Sequence, residues 1–175
     1  SYVENWDTSG WDDIKVPSSI QTIKDADGNF KYEKPIYVNQ RYPWQNYENV
    51  SLGANVTAPT VNNSVGQYKR TFTVPSDWDG RDVFVSFEGV ESAFYLYVNG
   101  QRVGYGEDSY TTDEFNITSY LKKGENTIAV EVYRWSTGSY LENQDFIRMS
   151  GIFRDVNLYS KAKVEMRDLF VKTDL

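Results

Sequence analysis

The sequence predicts an all-β protein, folded as an antiparallel β-sandwich with a long irregular N-terminal arm. Apolar and polar residues alternate with a period of two in several separate runs, which is the pattern of half-buried strands. Tyr, Phe and Trp make up 16% of the chain, and aromatic side chains favour strands. A helical pattern covers about one turn only. Because short strands separated by turns must bury one face against a second sheet, we expect two packed sheets.

The alternation predicts four strands in the middle of the chain. Each run places its apolar side chains two or four residues apart, so that they point to the same face of a sheet. In chain order the apolar positions are Tyr68, Phe72 and Val74; Val83, Val85 and Phe87; Phe94, Leu96 and Val98; and Ile128, Val130 and Val132.

Two local signals define turns between these strands. Asn99-Gly100 follows the third run directly, and Asn-Gly is the strongest short hairpin signal, so the returning strand is predicted from Gln101 to Tyr105. The only helical turn is predicted from Thr118 to Lys123, with Gly124 as its C-cap.

The two ends of the chain differ from the middle. Residues 1–65 contain polar clusters and little alternation, and loops this long are uncommon unless they are functional or packed on a core. Their aromatic residues favour packing: Trp11, Tyr37, Tyr42, Trp44 and Tyr47. Residues 161–175 change their alternation at Asp168, as a linker or the first strand of a following domain would. We therefore assign residues 1–160 to one domain.

The composition excludes several classes of chemistry. The chain of 175 residues is long enough to bury a sizeable core. It contains no Cys and no His, which excludes disulfides, thiolate nucleophiles, zinc–thiolate sites and imidazole bases within it. Carboxylate chemistry, hydroxyl or lysine nucleophiles, oxygen-ligated cations and plain binding stay open.

Charge and hydropathy limit the partners. The chain has 18 basic and 25 acidic residues, a net charge of −7, and no basic run longer than Lys122-Lys123, so nucleic acid is not expected to bind. No apolar run approaches the ~18 residues of a membrane span, and the first residues lack the pattern of a signal peptide. The absence of cysteine is compatible with a bacterial extracellular or cell-surface setting, which we slightly favour over the cytoplasm, and the localisation stays open.

The segment from Arg134 to Val156 concentrates charged and aromatic side chains in one loop region. It contains Arg134, Trp135, Arg148 and Arg154, together with the carboxylates of Glu142, Asp145 and Asp155. Such groups are costly to bury without partners. Either the arginines pair with these carboxylates over Trp135 and Phe153 as a structural corner, or the segment binds a polyhydroxylated ligand through carboxylates, amides and an aromatic face.

Several motifs resemble one family along nearly the whole chain. They are Trp11-Asp12 with Val16-Pro17, PIYVNQRYP from Pro35, NNSVGQYKRTFTVP from Asn62, FEGVESAFYLYVNGQRVGYGEDS from Phe87, EFNIT from Glu114, and GENTIAVEVYRWSTGSYLENQDFIRMSGIFRDVNLY from Gly124. In this order they resemble the N-terminal sugar-binding domain of the bacterial β-galactosidases of glycoside hydrolase family 2. The resemblance implies a jelly-roll sandwich like galactose-binding domains. It also implies that the two catalytic glutamates lie on a separate (β/α)₈ barrel, so the chain is not an enzyme on its own.

The resemblance also implies site residues. The asparagine of the family's sugar-binding loop motif falls on Asn63, and the aspartate of its Gln-Asp pair falls on Asp145. Both are expected to bind the galactosyl unit at the mouth of the barrel. Taken as residues alone, Asn63 is typical of a turn asparagine and Asp145 of a salt-bridge partner of Arg148 or Arg134.

A cation is a further implication of the resemblance. Asp145 is expected to ligate a monovalent cation weakly, and only together with the barrel, because one carboxylate makes a poor site for a hard cation. No cofactor is expected to bind this chain tightly, whereas the parent enzyme is expected to use Na⁺ or K⁺ and Mg²⁺. The expected partners are galactosides and the other domains of the parent enzyme.

The chain departs from the family pattern at two positions. Ile147 replaces a frequent tryptophan, and Ser64 replaces the usual proline after the motif asparagine, which loosens the loop that carries Asn63. Three functions stay open: a non-catalytic domain that completes a β-galactosidase active site, an independent carbohydrate-binding module, and a structural spacer.

Overall fold

The computed structural model describes residues 6–39, 57–142 and 144–174. Almost all regular structure in this part of the chain is β-strand. In chain order the elements are β1 (Ile36–Val38), β2 (Val65–Thr73), β3 (Asp82–Phe87), β4 (Val90–Glu91), β5 (Ala93–Val98), β6 (Gln101–Glu107), β7 (Asp113–Asn116), β8 (Glu125–Tyr133), α1 (Thr137–Leu141), β9 (Phe146–Arg148), β10 (Gly151–Ile152) and β11 (Val156–Lys161), with 3₁₀ turns at Ile20–Thr22, Ser76–Trp78 and Thr118–Tyr120.

The strands form two main antiparallel sheets and two short ribbons. One sheet has the order β2-β8-β5-β6 and the other β11-β3-β7, while β1 pairs with β9 and β4 with β10. The predicted hairpin is confirmed: Asn99 and Gly100 have φ values of 49° and 76°, the left-handed conformation that a two-residue hairpin turn requires. The returning strand β6 is longer than predicted and extends to Glu107.

The core lies between the two sheets, as the alternation predicts. Phe87 on β3 and Phe94 on β5 are 1% and 0% exposed, and their ring centroids are 4.7 Å apart. Around this pair pack the predicted inward residues of the other strands, including Val85, Val98 and Val132. Burial of apolar side chains is the main stabilising term of such a domain. The predicted antiparallel β-sandwich is confirmed.

The helical content differs from the prediction. The 3₁₀ turn spans Thr118–Tyr120 and Leu121 is its C-cap, so Gly124 does not cap it. The φ of 85° at Gly124 belongs instead to the turn before β8. The only α-helix in the described residues, α1, was not predicted, because five residues give no periodicity. It is fixed by a capping box, in which the side chains of Ser136 and Ser139 each accept a hydrogen bond from the other's backbone N–H.

Within the arm, residues 6–39 and 57–64 are mostly irregular, as expected, and the stretch around Ile20 packs against the sandwich. The backbone N–H groups of Ser18 and Ile20 donate to the carbonyls of Ile152 and Ser150, both at 2.8 Å. Gln21 is 1% exposed, and its amide bonds Ser150 and Glu33. Two of the aromatic residues that we expected to pack are instead exposed, Trp11 at 37% and Tyr37 at 60%. Tyr42, Trp44 and Tyr47 lie outside the described residues.

The chain after β11 has no regular secondary structure through residue 174. Several apolar side chains there are exposed, among them Val164 at 92% and Phe170 at 78%. The linker assigned to residues 161–175 stays a prediction. Over the residues that can be described, no helix combines the length and hydropathy that a membrane span needs.

Candidate functional site

The candidate site is centred on Asp145, which directly precedes β9. Strand β9 pairs with β1 so that Tyr37 lies opposite Ile147. The Tyr37 hydroxyl donates to Oδ1 of Asp145 at 2.5 Å. Asp145 is solvent-exposed, and Tyr37 is 60% exposed. The ribbon of β1 and β9 therefore presents a carboxylate and a phenol side by side on the surface.

Asn39 joins this pair, directly after the end of β1. Its side-chain amide acts on the Tyr37 hydroxyl. The hydrogen bond to Asp145 raises the pKa of Tyr37, desolvation and the charge of Asp145 raise it further, and the Asn39 amide opposes them. Tyr37 consequently stays a neutral hydroxyl beside the carboxylate. We call Tyr37, Asn39 and Asp145 the β1–β9 cluster.

The chemistry of the β1–β9 cluster suits a polyhydroxylated ligand. Within the described residues Oδ2 of Asp145 has no hydrogen-bond partner, and a carboxylate oxygen can accept from a sugar hydroxyl. The amide of Asn39 adds a donor and an acceptor. For a cation, Asp145 supplies one oxygen; over the chain as described, no group of three or more Asp, Glu, His or Cys residues converges on one point. The predicted monovalent cation would therefore need most of its oxygen ligands from elsewhere.

Asn63 contacts the backbone of Trp135. Its Nδ2 donates to the carbonyl of Trp135 at 2.9 Å, and its Oδ1 accepts from the Trp135 N–H at 3.0 Å. The side chain thus pairs with the backbone of Trp135 as a strand residue would. No described contact joins Asn63 to Asp145. The next residue, Ser64, donates its hydroxyl to Glu33, a bond that a proline could not make.

The structural role of Asn63 leads to a prediction. Asn63→Ala removes both bonds to Trp135 and should lower the free energy of unfolding by about 1–3 kcal/mol, since each bond contributes roughly 0.5–1.5 kcal/mol. Urea unfolding of the isolated chain measures this. Asn157→Ala is the matched control, because that exposed amide makes only a 3.4 Å contact with Glu88. Equal stability of the two variants would contradict the structural role.

Two arginines of the polar segment, Arg134 and Arg154, find partners outside that segment. Arg134 pairs with Glu33 at 2.8 Å and donates to the Lys34 carbonyl at 3.1 Å, which fixes the arm just before β1. Arg154 donates to the carbonyls of Tyr110 and Glu88. The expected pairing with Asp145 or Asp155 is wrong for these arginines in the described structure. The partners lie on the arm and in the loops after β3 and β6, which the local sequence does not show.

Arg148 is the most deeply buried of these arginines. It is 0% exposed at the end of β9, with its Nε 3.5 Å from Oε1 of Glu91 on β4. Its Nη1 donates to the backbone carbonyl of Glu142 at 3.0 Å. The Glu142 carboxylate accepts instead from the backbone and hydroxyl of Ser109, both at 2.7 Å. The polar segment is therefore a structural corner held by buried polar contacts, and it also carries the exposed carboxylate of Asp145.

A family model decides the affiliation of the chain. The model described as glycosyl hydrolases family 2, sugar binding domain, matches residues 3–162. The chain belongs to this family. It is a sugar-binding domain of the glycosyl hydrolases of family 2.

Relatives of this family 2 domain include named enzymes. The chain is 56% identical over 165 residues to a β-galactosidase of Priestia megaterium, and 45% identical over 174 residues to a β-galactosidase of Halalkalibacterium halodurans. These alignments cover 94% and 99% of the chain but only 15% and 16% of those proteins. The chain therefore spans a small part of the relatives that it matches.

Solved structures show the same fold for the family 2 domain. A β-glucuronidase of Bacteroides uniformis superposes with a TM-score of 0.63 at 25% identity, over 90% of the chain and 15% of that protein. A β-glycosidase of Bacteroides vulgatus superposes with a TM-score of 0.57 at 24% identity, over 89% of the chain and 17% of that protein. The latter likeness shows the fold alone.

Sequence reasoning missed two members of the β1–β9 cluster, Tyr37 and Asn39. Both lie in the PIYVNQRYP motif that carried part of the family resemblance. The arm around them was predicted to be irregular, and a three-residue strand is too short to show alternation. The signal available in the sequence was a tyrosine and an asparagine two positions apart, Tyr37 and Asn39, because such residues share one face of a strand.

Proposed function

We propose that this family 2 domain holds the galactosyl unit of the substrate at the active site of a parent β-galactosidase. The catalytic groups would come from the rest of that protein, which makes up most of the length of the relatives. Asp145 accepts from the sugar hydroxyls, while Tyr37 and Asn39 orient its carboxylate. The observation that carries the proposal is the bond of Tyr37 to Oδ1 of Asp145, an exposed residue whose Oδ2 has no hydrogen-bond partner among the described residues.

The choice of galactose rests on the relatives. The β-galactosidases match at 45–56% identity, whereas the β-glucuronidase structure matches at 25%. The predicted direct contact of Asn63 with the sugar stays a prediction; its two bonds to Trp135 leave one N–H and one lone pair of the amide for a ligand. The monovalent cation at Asp145 also stays a prediction, as does the use of Mg²⁺ by the parent enzyme.

A second candidate, an independent carbohydrate-binding module, is favoured by a tyrosine cluster on the outer face of the larger sheet. Tyr95 on β5 lies 5.0 Å from Tyr105 and 5.9 Å from Tyr133, measured between ring centroids. Tyr105 is 45% exposed, and its hydroxyl bonds Glu107 at 2.8 Å. Aromatic faces beside carboxylates are suited to glycans, so this surface could bind sugar without the rest of the enzyme.

A titration of the isolated chain distinguishes the two candidates. Galactose and its epimer glucose are added while the backbone amide resonances of Tyr37, Phe146, Tyr95 and Tyr105 are followed by NMR. If the domain only completes an active site, galactose should bind no more tightly than about 1 mM, roughly 4 kcal/mol, with any shifts confined to Tyr37 and Phe146. Micromolar binding with shifts at Tyr95 and Tyr105 would instead establish the independent module.

A further inference from the structure

The buried ion pair of Glu91 and Arg148 involves the last residue of β9, the strand that directly follows Asp145. Arg148 is 0% exposed and Glu91 is 6% exposed. Arg148 is the last residue of β9 and lies opposite Ile36 of β1, while Glu91 is on β4, between the core residues Val90 and Ser92. The pair thus connects the ribbon that presents Asp145 to the core of the sandwich.

The ribbon needs such an anchor. Strands β1 and β9 have three residues each and pair only with one another in the described structure. An isolated two-stranded ribbon is marginally stable in water. Arg148 supplies the connection through Glu91, through the carbonyl of Glu142, and through its position over the Phe146 ring, 4.8 Å from the centroid.

The pair is held by charge more than by hydrogen bonds. Within the described residues, Nε and Nη2 of Arg148 and Oε1 of Glu91 are buried without a hydrogen-bond partner, although Nε and Oε1 lie 3.5 Å apart. Attraction between two charges disappears when one is neutralised, whereas a complete hydrogen-bond network would partly survive. The strength of this anchor therefore depends on the ionisation of Glu91.

From this geometry we infer that the Glu91–Arg148 ion pair positions Asp145 for the sugar by anchoring β9, and that protonation of Glu91 releases the anchor. Glu91 is a positioning residue, since it does not contact the β1–β9 cluster itself. One consequence of the inference, a pH dependence of sugar binding, rests on the proposed function. The other consequence, a ribbon whose local stability depends on pH, can be tested without any sugar.

The pH range follows from the surroundings of Glu91. Burial raises the pKa of Glu91 to about 7, and the attraction of Arg148 only partly offsets it. The other charged or titratable groups that face Glu91 are Glu142, which raises the pKa further, Arg134, which lowers it, and Tyr110. Above pH 7 the ion pair is complete; below pH 7 Glu91 gains a proton and Arg148 keeps an unbalanced charge.

The contribution of Glu91 to the free energy of global unfolding has the opposite pH dependence to the local stability of the ribbon, which makes the inference testable. The pKa of Glu91 is raised from 4.5 in the unfolded chain to about 7 in the folded one. The stability that a bound proton contributes is therefore fully present below about pH 4.5 and is lost as the pH rises to about 7. For Glu91 alone, global unfolding becomes easier at higher pH, whereas the ribbon of β1 and β9 becomes harder to open.

The experiment is amide hydrogen exchange of the whole chain, followed by NMR at pH 6 and pH 8 and corrected for intrinsic exchange. Relative to the core strands β5 and β8, protection of the β1 and β9 amides should rise about 10-fold from pH 6 to pH 8, or about 1.4 kcal/mol. Glu91→Gln should abolish this rise. Glu131→Gln, which removes another buried carboxylate on β8, should keep it.

Two results would overturn the inference. One is ribbon protection that is constant or falls with pH in the unaltered chain; the other is a rise that persists in Glu91→Gln. If Glu91→Gln does not fold, the pH dependence of the unaltered chain alone decides between the outcomes. A failed sugar titration combined with the expected exchange pattern would reject the proposed function and leave the anchor standing.

Discussion

Asp145→Asn should lower kcat/KM for a galactoside at least about 10-fold in the parent enzyme, a loss of roughly 1.4 kcal/mol of transition-state binding. The amide keeps the shape of the carboxylate, and its oxygen can still accept from Tyr37. It removes the charge and replaces one acceptor oxygen by a donor, so bonds from sugar hydroxyls are weakened. Steady-state kinetics with a chromogenic galactoside measure the effect.

The control for this variant is Asp155→Asn. Asp155 is another exposed aspartate of the same polar segment, and only its backbone carbonyl has a described contact, with the Glu88 N–H. We expect Asp155→Asn to retain kcat/KM. Both variants should retain the thermal stability of the parent enzyme. An unchanged kcat/KM for Asp145→Asn together with a lowered melting temperature would support the spacer function instead.

Arg148→Met should lower the free energy of unfolding by about 3–5 kcal/mol at pH 8, the range found when one partner of a buried ion pair is removed. Glu91 would then be buried without its counter-charge, so that it either stays ionised at a cost or takes up a proton from solution at pH 8, and the Glu142 carbonyl would lose its donor. Methionine fills similar space, so the loss reports mainly on charge and hydrogen bonding. Urea unfolding of the isolated chain measures it.

The matched variant is Arg154→Met in the same polar segment. Arg154 is exposed and donates only to backbone carbonyls, so its loss should cost about 1 kcal/mol or less. At pH 6 the cost of Arg148→Met should shrink, because Glu91 can take up a proton there. A cost for Arg148→Met that equals the cost for Arg154→Met would contradict the account of the buried pair.

The sequence was sufficient to predict the sandwich because its strands are strongly patterned. Val83, Val85 and Phe87 alternate with a perfect period, and the Asn99-Gly100 turn has one favoured geometry. The short elements could not be predicted in this way. Strand β1 and helix α1 have three and five residues, and they are held by contacts with distant parts of the chain.

The candidate site was predicted only in part, for a related reason. Asp145 was found through the Gln-Asp motif, but its partner Tyr37 lies 108 residues away in sequence and reaches it through the β1–β9 pairing. Asn63 was assigned to the sugar by resemblance, yet both polar atoms of its amide bond the Trp135 backbone. The spacing of residues in the sequence does not show which side chains meet across a sheet. It shows only which residue types stand at a turn or at a strand end.

The most direct test of the β1–β9 cluster is a crystal structure of the full-length parent enzyme with a galactoside bound. We predict a sugar hydroxyl at hydrogen-bond distance, about 2.5–3.0 Å, from Oδ2 of Asp145, with the Tyr37 hydroxyl still on Oδ1. A galactoside bound at the catalytic groups with every hydroxyl out of reach of Asp145, Tyr37 and Asn39 would contradict the proposed function.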